Sequence, residues 1–215
     1  VAVLGCLMLI LVLAPAMQQE EHPALARMLG GLGLVVPILA VAAAEEKGRS
    51  RRIAFGLAIA CALTSADTML GFSHLPPQIS IGVCLIFLAY TTLRLLMGVV
   101  RSRTVTADVI AGALSSYLMV GLTWTFAYGL LETVRPGSIH GISEGSALLD
   151  FPSLLYFSYI TLLTIGYGDI TPLTAAARMM AVIEGLLGMT FTTLIMAVLV
   201  AGHLRHRDDT NHHDG

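Results

Sequence analysis

Charge is what this sequence has least of. Asp, Glu, Lys and Arg make up only 12% of its 215 residues, about half the share of a soluble domain. That shortage excludes an ordinary water-facing surface on a chain of this length. The charges present nearly cancel, at a formal −2, so no nucleic-acid partner is implied. Cysteine is scarce too: Cys6, Cys61 and Cys84 all fall inside apolar stretches, and no metal or disulfide spacing links them. Paired acid and base groups, an activated nucleophile and a cofactor constellation are all missing, so neither an enzyme nor a cofactor is expected. No linker or soluble domain interrupts the chain, and no targeting signal stands apart from its apolar segments.

What is there is apolar, 56% of the chain, and it is gathered into runs. Six of them are long enough, or nearly so, to cross a bilayer: Val1–Met17, Met28–Ala44, Ile53–Phe72, Ile79–Val100, Val109–Leu131 and Ala175–His203. A spanning helix needs roughly 20 mostly apolar residues. The shorter run Pro152–Ile165 suits a re-entrant helix, because irregular backbone at membrane depth must be covered by protein or water. The expectation is an all-α membrane protein of six transmembrane helices plus a re-entrant helix and loop. The first run has a second reading, since Ala14-Pro15-Ala16 resembles a signal-peptidase site, although no basic residue precedes it.

Lysine and arginine set the orientation. Lys47, Arg49, Arg51 and Arg52, then Arg101 and Arg103, then Arg205 and Arg207 all fall on one side of a six-span chain. The opposite segments, Gln18–Arg27, Ser73–Gln78 and Glu132–Asp150, hold only Arg27 and Arg135. The basic side is cytoplasmic, and it carries both termini of a multi-pass plasma-membrane protein in contact with lipid. In the tail, His203, His206, His212 and His213 could bind a metal, but a solvated, disordered segment is expected.

The segment Thr161-Leu-Leu-Thr164-Ile165-Gly166-Tyr167-Gly168-Asp169 carries the chemistry. A dehydrated cation needs oxygens in place of its water shell. Successive backbone carbonyls supply them only if they point the same way. Glycine reaches positive φ at little cost, so alternating it with L-residues aligns the carbonyls. Gly166 and Gly168 provide that alternation, and Thr164 adds a hydroxyl below the stack. Tyr167 is expected to turn outward and brace the loop. Asp169, at the mouth, is expected to tie the loop to the re-entrant helix. Pro152 suits that helix's first turn, with Asp150 or Ser153 as cap. Its carboxyl end points toward the membrane centre, where the dipole favours a cation. Phe151, Tyr156, Phe157 and Tyr159 are expected to form an aromatic cuff around the loop. One chain offers one loop, so a ring of carbonyls requires a homotetramer.

Residues from about Val109 to His203 resemble the pore unit of the tetrameric potassium channel superfamily, whose Thr-Val-Gly-Tyr-Gly loop differs here only at Ile165. The resemblance implies a K+-selective pore that conducts passively. Thr164, Ile165, Gly166 and Tyr167 would hold K+, with Gly168 completing the filter and Thr161, Tyr156, Asp169 and Glu184 supporting it. Pro172 and Arg178 also sit where many bacterial members have a proline and an arginine. By span count alone the chain resembles six-transmembrane, voltage-gated-type channels. Residues 1–104 would form a four-helix transmembrane domain, and residues 105–203 the pore domain, with outer helix 109–131, pore helix 152–163, filter 164–169 and inner helix 175–203. A polar tail, 204–215, would follow. Gly188 or Gly185 is either the gating hinge or a close-packing position. Thr192 and Met196 fall on the Gly188 face and would line the cavity below the filter.

Steep voltage gating takes 3–4 charges per subunit within the field. The fourth run holds Arg94 alone, near its cytoplasmic end, where it can snorkel, and Asp67 lies toward the other side. Conventional voltage gating is therefore not expected. Glu184 is the lone acid on the inner run. It reads as an anchor to the pore helix through Thr161 or Tyr156, as a neutral acid without a regulatory role, or as a proton-sensitive element. His140 is expected to be a solvated loop residue. The short connection Arg101–Asp108 favours docking of the first four spans on the pore of the same chain.

Overall fold

The computed structural model describes residues 2–13, 49–70, 75–102, 106–142 and 150–211. The second apolar run, Met28–Ala44, lies outside them. Six helices and one short ladder make up the described chain: α1 (Ala2–Leu13), α2 (Arg49–Leu70), α3 (Pro77–Arg101), α4 (Ala107–Val134), β1 (Ile139–His140), α5 (Phe151–Leu162), β2 (Thr171–Pro172) and α6 (Ala175–Asn211). Among the described residues, three segments are long and apolar enough to cross a membrane: Pro77–Arg101, Ala107–Val134 and Ala175–Leu194. Phe151–Leu162 is a shorter apolar helix, and the part of α2 from Arg52 to Thr64 is apolar as well.

The helix ends follow from local chemistry. α3 starts at Pro77, whose fixed φ suits a first helical position. Thr106 caps α4 by accepting the Val109 N–H, with Asp108 in the first turn facing the positive end of the dipole. Thr174 does the same for α6 by accepting the Ala177 N–H. Asp150 occupies the N-cap position of α5, and Pro152 lies in its first turn. The inner helix departs from expectation at its far end. It runs through His203 to Asn211, into residues expected to be a disordered tail. After Gly202 neither Gly nor Pro interrupts it.

The outer helix α4 is the hub. Val3 and Leu7 of α1, Leu88 of α3, Leu118, Met119 and Leu122 of α4, and Leu155 and Tyr159 of α5 form one buried cluster. Tyr128 of α4, Ile139 of β1, Leu154 and Phe157 of α5 and Ala177 of α6 form a second. Ala58 and Cys61 of α2 meet Cys84 and Phe87 of α3 in a third. In lipid, association rests on packing and hydrogen bonds rather than on water exclusion. The buried hydroxyls of α4 accordingly bond back along their own helix, as Ser115 does to the Ala111 carbonyl (2.7 Å) and Ser116 to Gly112 (2.8 Å). α3 and α4 pack together within the chain as neighbours across the short 102–106 connection. Thr92 Oγ1 lies 3.4 Å from the Met119 carbonyl and 3.2 Å from Thr123 Oγ1. Large apolar side chains stay exposed on the outer faces, among them Ile86, Leu93 and Val100 of α3 and Val182, Leu186 and Met189 of α6.

Candidate functional site: the loop after the re-entrant helix

The site begins where α5 stops. Leu163 is the C-cap, and Thr164 follows in the left-handed region at φ +58°. The Ile165 N–H donates to the Ile160 carbonyl (2.8 Å) and the Thr164 N–H to Thr161 (3.0 Å). These are the two bonds of a Schellman cap, whose left-handed residue is usually glycine. A β-branched residue at positive φ is an outlier that costs roughly 1–3 kcal/mol. Thr164 is the one positive-φ residue other than glycine among the described residues. Gly166 (φ +57°) and Gly168 (φ +82°) continue the pattern. Every second residue from 164 to 168 is thus left-handed, while Ile165 and Tyr167 are not. An alternation of this kind turns successive carbonyls to one side. The cap of the helix and the first step of the loop are the same residue.

The last carbonyls of α5 are all occupied. Leu163 N–H bonds Tyr159, Ile165 and Gly166 N–H both reach Ile160, and Thr164 N–H reaches Thr161. The Tyr117 hydroxyl of α4 donates to the Leu162 carbonyl (3.1 Å). The helix end therefore offers its dipole, with its terminal carbonyls already bonded within the protein.

Past the loop, the Tyr156 hydroxyl donates to Asp169 Oδ2 (2.7 Å). That bond, helped by backbone N–H groups against some desolvation, holds the Asp169 carboxyl below its usual range. Tyr167 is 73% exposed in the single chain, so its own chain does not brace it. The expected aromatic cuff takes a different form. Phe151 packs edge-on to Phe126 and Phe157 edge-on to Tyr128, while the Tyr159 hydroxyl donates to the Leu118 carbonyl. Three of the four aromatics thus contact the outer helix. Only Tyr156 reaches the loop.

Glu184 is fully buried behind the loop. Its partners are not Thr161 or Tyr156. Thr161 bonds its own helix at the Phe157 carbonyl (2.8 Å), and Tyr156 is taken by Asp169. Instead Glu184 Oε2 accepts from the Tyr128 hydroxyl (2.7 Å), and Oε1 lies 2.6 Å from Ser158 Oγ. The carboxyl group joins α4, α5 and α6 at one point. Neither Ser158 nor Tyr128 stood out in the sequence. Ser158 is a small hydroxyl on the back of an apolar helix, and a serine there has no pattern that marks it.

Below Glu184 the helices touch through backbone. A Cβ on Gly188 would overlap the Leu162 carbonyl oxygen, whereas one on Gly185 would sit 3.9 Å from the Thr161 oxygen, an ordinary contact. Gly188 is therefore a close-packing position in this conformation. Thr192 bonds back to the Gly188 carbonyl (3.0 Å), and Phe191 meets the Tyr117 ring at 5.2 Å. Met196 lies one turn further along α6.

The segment before the re-entrant helix is fastened to the loop's exit. Glu132, near the end of α4, accepts the backbone N–H groups of Gly137, Ser138 and Ile139. The turn thus held carries β1, which pairs antiparallel with β2, Ile139 opposite Pro172 and the exposed His140 opposite Thr171. The Leu173 N–H donates to the Ser138 carbonyl (2.8 Å), and Arg178 Nε lies 3.4 Å from the Pro172 oxygen. Nothing in the sequence marks Glu132, because its partners are backbone groups.

Residues 113–201 match the family model described as an ion channel. The chain is also 34% identical over 88 residues to the two pore potassium channel c of Oryza sativa subsp. japonica, across 41% of this chain and 17% of that relative. The chain thus spans a small part of the relative's length. No solved structure matches it. The family match covers the stretch built around α4, α5 and α6. The likeness is to ion channels and points to a channel rather than an enzyme.

Proposed function

We propose that the chain is one subunit of a potassium-selective channel, in which four copies set residues 164–169 around a common axis. One observation carries this reading: left-handed backbone at Thr164, Gly166 and Gly168, the alternation that a column of like-directed carbonyls needs. Thr164, Ile165, Gly166 and Tyr167 hold K+ in that column, and Gly168 completes it. The unbraced Tyr167 ring supports assembly, because a neighbouring copy can supply the packing its own chain lacks. Thr192 and Met196 line the cavity below. Opening by a hinge at Gly188 or Gly185 would draw Gly188 off the Leu162 carbonyl. The six-span topology, with lipid around it and both termini cytoplasmic in the plasma membrane, belongs to the same reading. So does docking of the first four spans on the pore of their own chain. Steep voltage dependence does not, since Arg94 is the fourth run's only charge.

The test is the purified chain in planar bilayers between unequal potassium and sodium solutions. A reversal potential near the potassium value that is lost in Gly168→Ala supports the reading. A reversal indifferent to the cation, with the assembled protein present, refutes it.

A further inference from the structure

The hydrogen bonds around Glu184 fix where its proton lies. Ser158 Oγ lies 2.6 Å from Glu184 Oε1 and 2.8 Å from the Gly121 carbonyl oxygen. Both are hydrogen-bond distances, and each contact needs a proton. A serine hydroxyl has one. The Gly121 carbonyl has none to give. If Glu184 is ionised, one of the two contacts becomes a bare approach of oxygen lone pairs, buried in a low-dielectric interior where such a defect is costly. If Glu184 carries a proton on Oε1, every group is satisfied. Tyr128 donates to Oε2, Oε1–H donates to Ser158 Oγ, and the Ser158 proton goes to Gly121.

We propose that Glu184 is held as the neutral acid, its proton forming the link that fastens the inner helix to the re-entrant helix and, through Ser158, to the outer helix. The titratable groups around it are Tyr117 and Tyr128 from α4 and Tyr159 from α5. Among the described residues, the groups that bear on it are Ser158, Tyr128 and burial itself, with no cation to balance a carboxylate. A carboxylate in such a place is disfavoured.

Loss of the proton has a defined consequence. The Glu184 O–H bond breaks, the proton leaves to water, and the Ser158 hydroxyl turns from Gly121 to the new carboxylate. The direct tie between α5 and α4 at Gly121 is then gone, while Gly121 keeps the Thr125 hydroxyl (2.9 Å). The re-entrant helix that carries the loop then has one hydrogen bond fewer to α4, keeping those of Tyr159 to Leu118 and of Tyr117 to Leu162. This regulation rests on the channel reading, but the protonation state does not.

Infrared spectroscopy of the whole protein in lipid vesicles reads the proton directly, with potassium flux measured on the same vesicles. At neutral pH the wild type should show a protonated-carboxyl stretching band that Glu184→Gln removes and Ser158→Ala displaces. The second variant keeps the assignment possible if the first does not assemble. Raising the pH should abolish the band and the flux together. Glu184→Gln should conduct across the same range, because its amide still accepts from Tyr128 and donates to Ser158. Absence of the band from the wild type at neutral pH overturns the proposal, as does a flux that falls equally in wild type and Glu184→Gln. A band without any potassium flux upholds the protonation and refutes the channel reading instead.

Discussion

The Tyr156 hydroxyl and Asp169 Oδ2 lie 2.7 Å apart and close a loop of chain 13 residues long. Everything proposed to touch the ion lies inside that loop. Its non-helical part is pinned at its start by the Schellman cap at Thr164 and at its end by this bond.

The bond has a pH limit whose direction follows from its chemistry. Asp169 accepts, so its ionised form is favoured and its pKa is lowered, first by Tyr156. A group with a depressed pKa contributes fully above its unfolded value and loses that contribution as pH falls through the folded one. Flux should therefore persist through neutral and mildly acidic external pH and fail only below the ordinary carboxylate range. Tyr156→Phe should move the acid limit upward and leave the neutral-pH current selective. An acid limit identical in Tyr156→Phe would show that another group sets it.

The two glycines of α6 should respond differently to the same change. Gly188→Ala forces a methyl group into the Leu162 carbonyl, and overpacking against backbone costs about 1–3 kcal/mol. Gly185→Ala meets only an ordinary contact. Thermal melting of the assembled protein in lipid should separate them, with Gly188→Ala melting lower and Gly185→Ala near wild type. If both melt like wild type yet Gly188→Ala fails to open, the position matters for bending rather than packing.

Much of this site was legible in the sequence because its information is local. The spacing of Gly166 and Gly168 announced the alternating backbone, and the length of the Pro152–Ile165 run announced a helix too short to span. Pro152 marks the start of α5 by its own chemistry. What was hidden is contact between distant segments. The aromatics of α5 were expected around the loop, but which face they occupy depends on where α4 lies. Glu184 was recognised as a buried acid in search of a partner. Its partners, Ser158 and Tyr128, are 26 and 56 residues away and come together only after three helices have packed. The left-handed Thr164 was also hidden, since nothing in a threonine signals positive φ and only the capping bonds require it.

Thr164 allows backbone geometry to be separated from ion contact. Glycine at this position relieves a left-handed strain of roughly 1–3 kcal/mol but adds unfolded-state freedom worth roughly 0.5–1 kcal/mol. Thr164→Gly should therefore be at least as stable as wild type, by up to about 2 kcal/mol. It also deletes the hydroxyl, so the preference for potassium over sodium should fall, as read from bi-ionic reversal potentials. Full selectivity in Thr164→Gly would remove the hydroxyl from the ion's coordination and leave only carbonyls.

Glu132 tests whether the segment before the re-entrant helix steadies the loop's exit. Its carboxylate gathers three backbone N–H groups, from Gly137, Ser138 and Ile139, and hydrogen bonds to a charged group are worth about 1.5–3 kcal/mol each. Glu132→Gln keeps the size but leaves one acceptor oxygen, and its NH2 group then faces donors. The turn should loosen, and with it the Ser138 carbonyl that holds the Leu173 and Thr174 N–H groups. Hydrogen exchange at Leu173 and Thr174 should quicken by one to two orders of magnitude, as expected for about 1.4–2.7 kcal/mol, while exchange within α5 stays slow. Because the Gly141 backbone also lies against the Asp169 carbonyl, the loosened variant should lose current faster during sustained conduction than the wild type. Unchanged exchange at Leu173 would mean that β2 is held by its own ladder and by Arg178, with the carboxylate serving only to end α4.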